Sequence, residues 1–401
     1  MDLRETELAE VKPQAIYEFF DSRYGIVGYL IIDSTINGNS GGGLRIVPGV
    51  SKNELAHLAR TMTMKYSFLK IPLGGAKAAI ITGKKALTEK EKAERIKIVS
   101  KKLVRFKDNY YPGTDIGVSE QDFRLILKTT GLREEANIPD TAFYTACTVL
   151  ICAEELLKKR HEKLRDCRIT IEGFGKVGAW VAQKFSESGC KIIAVSNSKG
   201  AIFNPKGLNI NRLRTLRDSI GDDCISQYKN CQRFKKEDLL QLPTDLLIPC
   251  ALSWSINRSN ADQIQAKIVL SGANNPVTDL AKNILINRGI INFPDFVSNC
   301  GGVYGAMLDG FFKNKVLTLR YFEKTFRPGI RDLIHLAEAK KQSIEITAKD
   351  IACANFREKK GREKTLLDLG FSYGLKIFRK GWIPSALLRT VGPICLPWMM
   401  R

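Results

Sequence analysis

The chain has 401 residues, 44% hydrophobic, 26% charged and 8% aromatic, with 32 Gly and 14 Pro; this composition excludes wholesale disorder and a collagen-like chain, and no run approaches the roughly 20 apolar residues of a membrane span. At about 150 residues per domain the length suggests two or three domains, and two is the working number. Lys and Arg outnumber Asp and Glu by 63 to 42, a net charge of +21, which raises nucleic acid or anionic lipid as a partner, but the charge is spread along the chain without an aromatic-interleaved RNA motif, so nucleic acid is not expected.

In chain order, the start Met1-Asp2-Leu3-Arg4-Glu5 lacks the basic and apolar run of a secretory signal, which predicts a cytoplasmic protein. Ser51-Lys52-Asn53-Glu54 is a capping box opening a helix with Leu55, Leu58, Met62 and Tyr66 on one side. A turn is predicted at Pro72-Leu73-Gly74-Gly75, then a buried strand over residues 78–82. Thr88 and Ser119 start two further helices, the second ending near Gly131. From about Thr141 the pattern changes to helix, strand (168–172), helix from Lys176, strand (191–196), and further strands over 245–248, 267–271 and 290–293. Short apolar strands separated by helices indicate a parallel sheet covered on both faces. After Gly301 the chain reads as helical to about Lys360, interrupted at Pro328.

The ten cysteines are scattered from Cys147 onward with no C-x-x-C pair, so buried free thiols are expected and no metal site. His57, His161 and His335 sit in no hydrolase-like setting, which leaves proton chemistry to Lys, Asp or Glu.

Gly173-Phe174-Gly175-Lys176-Val177-Gly178 directly follows a predicted strand and opens a helix. In that context the first glycine permits the tight turn, the second lets backbone approach a pyrophosphate, and the third allows close helix-to-strand packing, with the helix N-terminus toward the phosphates. The following strand ends Ser196-Asn197-Ser198-Lys199 with no acidic tip. Asn197 can still bond a ribose hydroxyl and Lys199 lessens repulsion of a 2′-phosphate, so the cofactor is written NAD or NADP.

Lys65 and Lys77 occupy apolar, glycine-rich settings. A lysine between a glycine turn and a buried strand is partly desolvated, which lowers its pKa toward the range useful for acid–base work. Around them, Gly42-Gly43-Leu44-Arg45, Met62-Thr63-Met64-Lys65, Pro72-Leu73-Gly74-Gly75-Ala76-Lys77 and Thr114-Asp115-Ile116-Gly117 stand in order. Ser196-Asn197-Ser198-Lys199-Gly200, Pro249-Cys250-Ala251-Leu252, Gly272-Ala273-Asn274-Asn275-Pro276 and Asn299-Cys300-Gly301-Gly302-Val303 follow. This ordered set resembles the glutamate/leucine/phenylalanine/valine dehydrogenase family, over roughly residues 25–310.

The resemblance implies an α/β protein with a substrate-binding and oligomerisation domain of mixed α/β structure (residues 1–140) and a Rossmann-like, doubly wound NAD(P)-binding domain (141–300). Helices at 301–360 would return to the first domain, and 361–401 form a basic, apolar extension. It implies reversible oxidative deamination of an L-amino acid to a 2-oxo acid and ammonia, by a homo-oligomer. Lys77 and Asp115 would be catalytic, Lys65 would hold the substrate α-carboxylate, Gly74 and Gly75 would let substrate approach or simply turn, and Asn299 would contact substrate or nicotinamide ribose. Gly173, Gly175, Lys176, Val177, Gly178, Asn197, Ser198, Ala251, Asn274 and Thr145 would line the cofactor. Next to Thr145 the family's glycines are replaced by Ala146 and Thr148, so that helix is expected to pack differently.

Glutamate-specific relatives clamp the distal carboxylate with a lysine and a serine, at positions that here hold Gly41 and Ala306. A buried, unpaired carboxylate costs several kcal/mol, so an aliphatic or aromatic substrate is expected, and bare Gly41 suggests room for a bulky one. Arg45 is the nearest basic residue that could replace the clamp. The alternatives are a glutamate dehydrogenase with a rearranged clamp and an inactive relative that binds nucleic acid or a partner. The extension from Leu366 suggests a packing arm between subunits, or contact with a membrane or a partner helix.

Overall fold

The computed structural model describes residues 7–83, 87–134, 138–312 and 314–361. The extension from Leu366 lies outside the described residues, and so does any contact expected of it. The described chain divides into two compact units: one holds the described residues of 10–138 with 311–312 and 350–361, the other 7–9, 139–310 and 314–349.

The first unit runs β1 (Ala15–Asp21), β2 (Gly25–Ile32), β3 (Ser40–Val47), α1 (Lys52–Phe68), β4 (Gly74–Ile81), α2 (Glu89–Leu103), β5 (Tyr110–Thr114) and α3 (Glu120–Thr130). Its sheet has the order β1-β2-β4-β3-β5, with β3 parallel to β4 and β5. Because side chains alternate along a strand, the two faces can be read off β4. Ala76, Ala78 and Ile80 join Ile96, Val99 and Ile126 on the side of α2 and α3, while Ala79 joins Leu55, Leu58 and Ala59 of α1 on the other. Each fully buried Ile or Leu among them contributes roughly 1.5–3 kcal/mol. Gly75 and Lys77 therefore face α1. The helix starts follow the local chemistry: Ser51 Oγ accepts from Glu54 N–H at 2.9 Å, and Thr88/Glu91 and Ser119/Asp122 form complete capping boxes. Gly131, at φ 70°, closes α3 in the left-handed region.

The second unit runs α4 (Thr141–Lys159), β6 (Arg168–Glu172), α5 (Lys176–Glu187), β7 (Lys191–Asn197), β8 (Gly200–Phe203), α6 (Ile210–Ile220), α7 (Cys224–Gln227), β9 (Gln232–Phe234), β10 (Thr244–Pro249), β11 (Ala266–Leu270), α8 (Asp279–Asn287), β12 (Ile291–Phe293), α9 (Asp295–Ser298), α10 (Gly301–Phe312), α11 (Lys315–Tyr321), α12 (Arg327–Ala339) and the start of α13 (Ile344–Gly361), a helix that groups with the first unit from Asp350. Its strand order is β12-β11-β10-β6-β7-β8-β9, parallel from β12 to β7 and antiparallel at β8 and β9. Strand order reverses beside β6, which makes the β6/β10 crevice the switch point where ligands bind in open α/β sheets.

Two sequence expectations shift here. Pro328 does not break the helical run: a π-helical stretch, Phe322–Phe326, leads into α12, where the proline occupies the first turn and needs no N–H bond. The helices after Gly301 also do not return together to the first unit. α12 packs on α4 within the second unit; apart from Phe311 and Phe312, the chain after Gly301 groups with the first unit from Asp350, where Asn355 Nδ2 donates to the Ser67 carbonyl at 3.0 Å. No helix among the described residues is long and apolar enough to cross a membrane.

Candidate active site

β3 carries three successive glycines, and their missing side chains shape the α1 face of the first sheet. A Cβ on Gly43 would lie 2.8 Å from Asp115 Cβ and 3.3 Å from Lys77 Nζ, so those two side chains meet over a bare strand. Lys77 Nζ is 2.8 Å from Asp115 Oδ2, and Arg45 Nε reaches the same oxygen at 2.9 Å. Arg45 Nη1 in turn binds Glu54 Oε1 of α1 at 2.7 Å. The sequence separations, 70 residues from Arg45 to Asp115 and 9 to Glu54, are closed by the parallel β3–β5 pairing and by α1 crossing the sheet.

Lys77 and Arg45 are each 3% exposed. Burial pushes the Lys77 amine below its ordinary value; Asp115 opposes that, and the neighbouring Arg45 charge adds to it. Burial would raise Asp115, but the Arg45 and Lys77 charges outweigh it and hold the carboxylate far below its usual range. Burial would lower Arg45 as well, and Asp115 and Glu54 keep it raised. The result is a permanent carboxylate and guanidinium beside an amine made easier to deprotonate, an arrangement suited to moving a proton.

Lys65 is buried on α1, three residues past Met62, whose side chain lies 3.5 Å from where a Gly42 Cβ would be. Its neighbour Tyr66 changes the reading of Gly41. A Cβ on Gly41 would lie 2.6 Å from the Tyr66 hydroxyl, so the space above this glycine is filled by a phenol rather than left open for a bulky substrate. Burial pushes that phenol well above its ordinary range, keeping it neutral. Arg45 is not a replacement clamp either, since its guanidinium is committed to Asp115 and Glu54. Gly74 and Gly75 are not a turn: they open β4, and a Cβ on them would meet the Ser34 carbonyl oxygen at 2.1 Å and the Ala59 carbonyl oxygen at 2.2 Å. Protein backbone makes the close approach there. Ala306 lies on α10 of the second unit.

In the second unit the glycine turn has the form its spacing predicts. Gly173 has φ 93°, and a Cβ on Gly178 would sit 1.8 Å from the Gly173 carbonyl oxygen, so helix α5 can start only on a bare residue. Gly175 is the N-cap, and a Cβ there would point into open space; Lys176 and Val177 begin the helix. Gly173 also lies against Ala251, whose backbone N would be 2.8 Å from an added Cβ. This places the turn at the β6/β10 switch point, and the open N-terminus fits a dinucleotide pyrophosphate.

Asn299 Nδ2 donates to the Ala273 carbonyl at 2.6 Å and to Asn274 Oδ1 at 3.2 Å, while its buried Oδ1 has no partner among the described residues. Thr145 Oγ1 donates to the Thr141 carbonyl at 2.8 Å and would be 2.9 Å from a Cβ on Gly302. Thr148 has a structural use: its Oγ1 accepts from Gly301 N–H at 3.0 Å at the start of α10. Asn197 is bound at both ends of its amide, to the Asp222 carbonyl and to Lys199 N–H.

Residues that sequence reasoning passed over are Glu54, Tyr66, Glu172 and Asp222. Glu172 ends β6; burial pushes its carboxyl up to about 7, eased by a 2.8 Å bond from Ser255 Oγ. Its place just before Gly173 was the available signal. Asp222 had none.

Residues 138–342 match the Glutamate/Leucine/Phenylalanine/Valine dehydrogenase family, and residues 20–131 match the Glu/Leu/Phe/Val dehydrogenase dimerisation domain. The chain is 33% identical over 288 residues to an NADP-specific glutamate dehydrogenase of Saccharolobus shibatae, covering 67% of each. It is 30% identical to a glutamate dehydrogenase of Thermotoga maritima, over 84% of this chain and 88% of the relative. Among solved structures, the hetero-hexameric glutamate dehydrogenase from Thermus thermophilus in its Leu-bound form superposes with a TM-score of 0.74 at 23% identity, covering 89% of this chain and 93% of that one. L-tryptophan dehydrogenase from Nostoc punctiforme gives 0.60 at 20% identity, covering 86% and 96%. The chain belongs to the glutamate/leucine/phenylalanine/valine dehydrogenase family.

Proposed function

We propose that the protein catalyses the NAD- or NADP-dependent, reversible oxidative deamination of an L-amino acid to a 2-oxo acid and ammonia, with an aliphatic or aromatic side chain preferred to glutamate. The observation that carries the reaction is the buried Lys77–Asp115 pair over the bare Gly43. A dinucleotide held by the Gly173–Gly178 turn at the start of α5 would supply the hydride acceptor. Lys65 holds the α-carboxylate, which fixes the direction of that hydrogen. Lys77, with its lowered amine pKa, takes a proton from the water that attacks the imine carbon and stabilises the charge that develops on the carbinolamine oxygen. Asp115 exchanges protons with the departing amine. Its strongly lowered pKa means that Arg45 and Lys77 must yield part of their hold as the proton arrives. Asn299 Oδ1, without a partner among the described residues, supplies an acceptor for a ribose hydroxyl or a carboxamide N–H.

The substrate preference rests on Gly41 and Tyr66. Along β3, Gly41 lies two residues, about 7 Å, from Gly43, on the same face. Beside Gly41 a substrate side chain meets a neutral phenol where glutamate-specific relatives present an ammonium. A distal carboxylate brought there loses water and gains no opposite charge, at a cost of several kcal/mol. The second reading, glutamate dehydrogenase, is favoured by the relatives that carry that name. A homo-oligomer is expected from the match to the dimerisation domain.

The test is a panel of glutamate, leucine, phenylalanine and tryptophan with each coenzyme, followed by nicotinamide absorbance. We expect kcat/KM for one of the apolar amino acids to exceed that for glutamate. Turnover of glutamate at least as efficient as the others would establish the second reading, and no amino-acid-dependent reduction would mean that the fold is kept without the chemistry.

A further inference from the structure

The strand after the glycine turn, β7, ends without an acid, yet the fold brings one to it. Gly173 N–H donates to Ser196 Oγ at 3.2 Å, so the pyrophosphate turn and the end of β7 are joined directly. Two residues on, in the turn that follows β7, Ser198 Oγ donates to Asp222 Oδ2. Asn197 Nδ2 donates to the Asp222 carbonyl at 2.7 Å, and Asn197 Oδ1 accepts from Lys199 N–H at 2.9 Å. Asn197 is thus consumed in fastening the segment after α6 to the strand tip, and what it fastens there is a carboxylate. The segment can turn back this way because Gly221, at φ 61°, ends α6 in a backbone conformation that favours glycine. Asp222 is exposed, and its Oδ1 has no partner among the described residues.

We propose that Asp222, supplied from a separate segment, serves as the acid at the tip of β7: Oδ1 accepts from a hydroxyl of the adenosine ribose, and the carboxylate selects NAD over NADP. The adenosine ribose of a dinucleotide bound at such a turn lies just beyond the second strand, where an acid bonds the 2′-hydroxyl and repels a 2′-phosphate. The charges sum in the same direction. Lys199 is the cation at the tip, but it lies 3.9 Å from Asp223 Oδ1, so Asp222, Asp223 and Lys199 together leave one negative charge facing a phosphate that would carry up to two more. The apparent absence of an acid in Ser196-Asn197-Ser198 is made good by tertiary structure.

This inference rests on the dinucleotide reading, and binding measurements separate the two. NADH and NADPH are titrated into the full-length protein by calorimetry, without substrate, so no turnover is needed. Wild type is expected to bind NADH at least about tenfold more tightly than NADPH, with the gap narrowing as salt is added. Asp222→Asn, which removes the charge and keeps an acceptor, should tighten NADPH and reduce the preference to within about threefold, whereas Asp222→Ala should also weaken NADH. Equal binding of the two nucleotides by wild type overturns this inference alone, as does an Asp222→Asn variant whose preference is unchanged. Equal loss of both nucleotides in that variant shows a structural role and also overturns it. Binding of neither nucleotide by wild type overturns the dinucleotide reading and this inference with it.

Discussion

Arg45→Met keeps the bulk of a buried side chain and removes one charge from the Lys77–Asp115 pair. Arg45 Nε and Lys77 Nζ sit on the same Asp115 oxygen, at 2.9 and 2.8 Å. The two cations are therefore within about 6 Å of one another, where like charges repel by roughly 3 kcal/mol at an effective dielectric of about 20. That corresponds to about two decades in a proton equilibrium. Arg45 is one of the two influences that lower Lys77, after burial, so its loss raises the Lys77 pKa. If Lys77 must be neutral to take a proton from water, the acid-side limb of the kcat profile for deamination moves up by about two pH units. The assay is the pH dependence of nicotinamide reduction with a saturating amino acid, alongside Arg45→Lys, which retains the charge and should leave the limb near its wild-type position. Removing one partner from a buried charge network costs about 3–5 kcal/mol, so circular dichroism at low temperature must confirm folding at each pH. A folded Arg45→Met enzyme whose limb has not moved would refute the assignment of Lys77 as the group that titrates in catalysis.

Lys77→Ala is expected to retain NAD(P)H binding, measured by calorimetry, and to lose about a hundredfold to ten-thousandfold in kcat; a rate near wild type would remove Lys77 from the chemistry. Glu172 has its carboxyl raised by burial from 4.5 to about 7, so the folded state holds its proton more tightly than the unfolded one. The stability that this contributes is fully present below the unfolded value and is lost as pH rises through the folded one, up to roughly 3 kcal/mol in all. Urea unfolding should show that decline in wild type and its absence in Glu172→Gln; identical profiles would contradict the buried acid. Gly178→Ala puts a methyl group 1.8 Å from the Gly173 carbonyl oxygen and should cost about 1–3 kcal/mol in stability and weaken both nucleotides, as seen by thermal unfolding and titration; unchanged binding would mean that the turn does not hold the pyrophosphate.

Much of this fold is legible in the sequence because the signals are local. Ser51, Thr88 and Ser119 start helices at the expected places, since a side-chain oxygen reaches an orphan N–H three residues on whatever the rest of the chain does. The glycine turn is likewise a property of a few consecutive residues. The predicted strand over 78–82 begins earlier, at Gly74, because the two glycines read as a turn pair with β3. β1, β2, β3, β5 and the antiparallel pair β8 and β9 carry weaker patterns, and pairing decides them.

The residue types of the candidate site, Lys65, Lys77, Asp115 and the spaced glycines, were fixed by the order of motifs along the chain. Their electrostatic state was not. Only the packed sheet brings Arg45 and Lys77 onto one Asp115 oxygen, fills the space over Gly41 with the Tyr66 phenol and carries Asp222 to the end of β7. Caps and turns depend on neighbours a few bonds away, whereas pKa values and ligand selectivity depend on charges and burial created by contacts tens of residues apart, and such contacts exist only after the chain has folded.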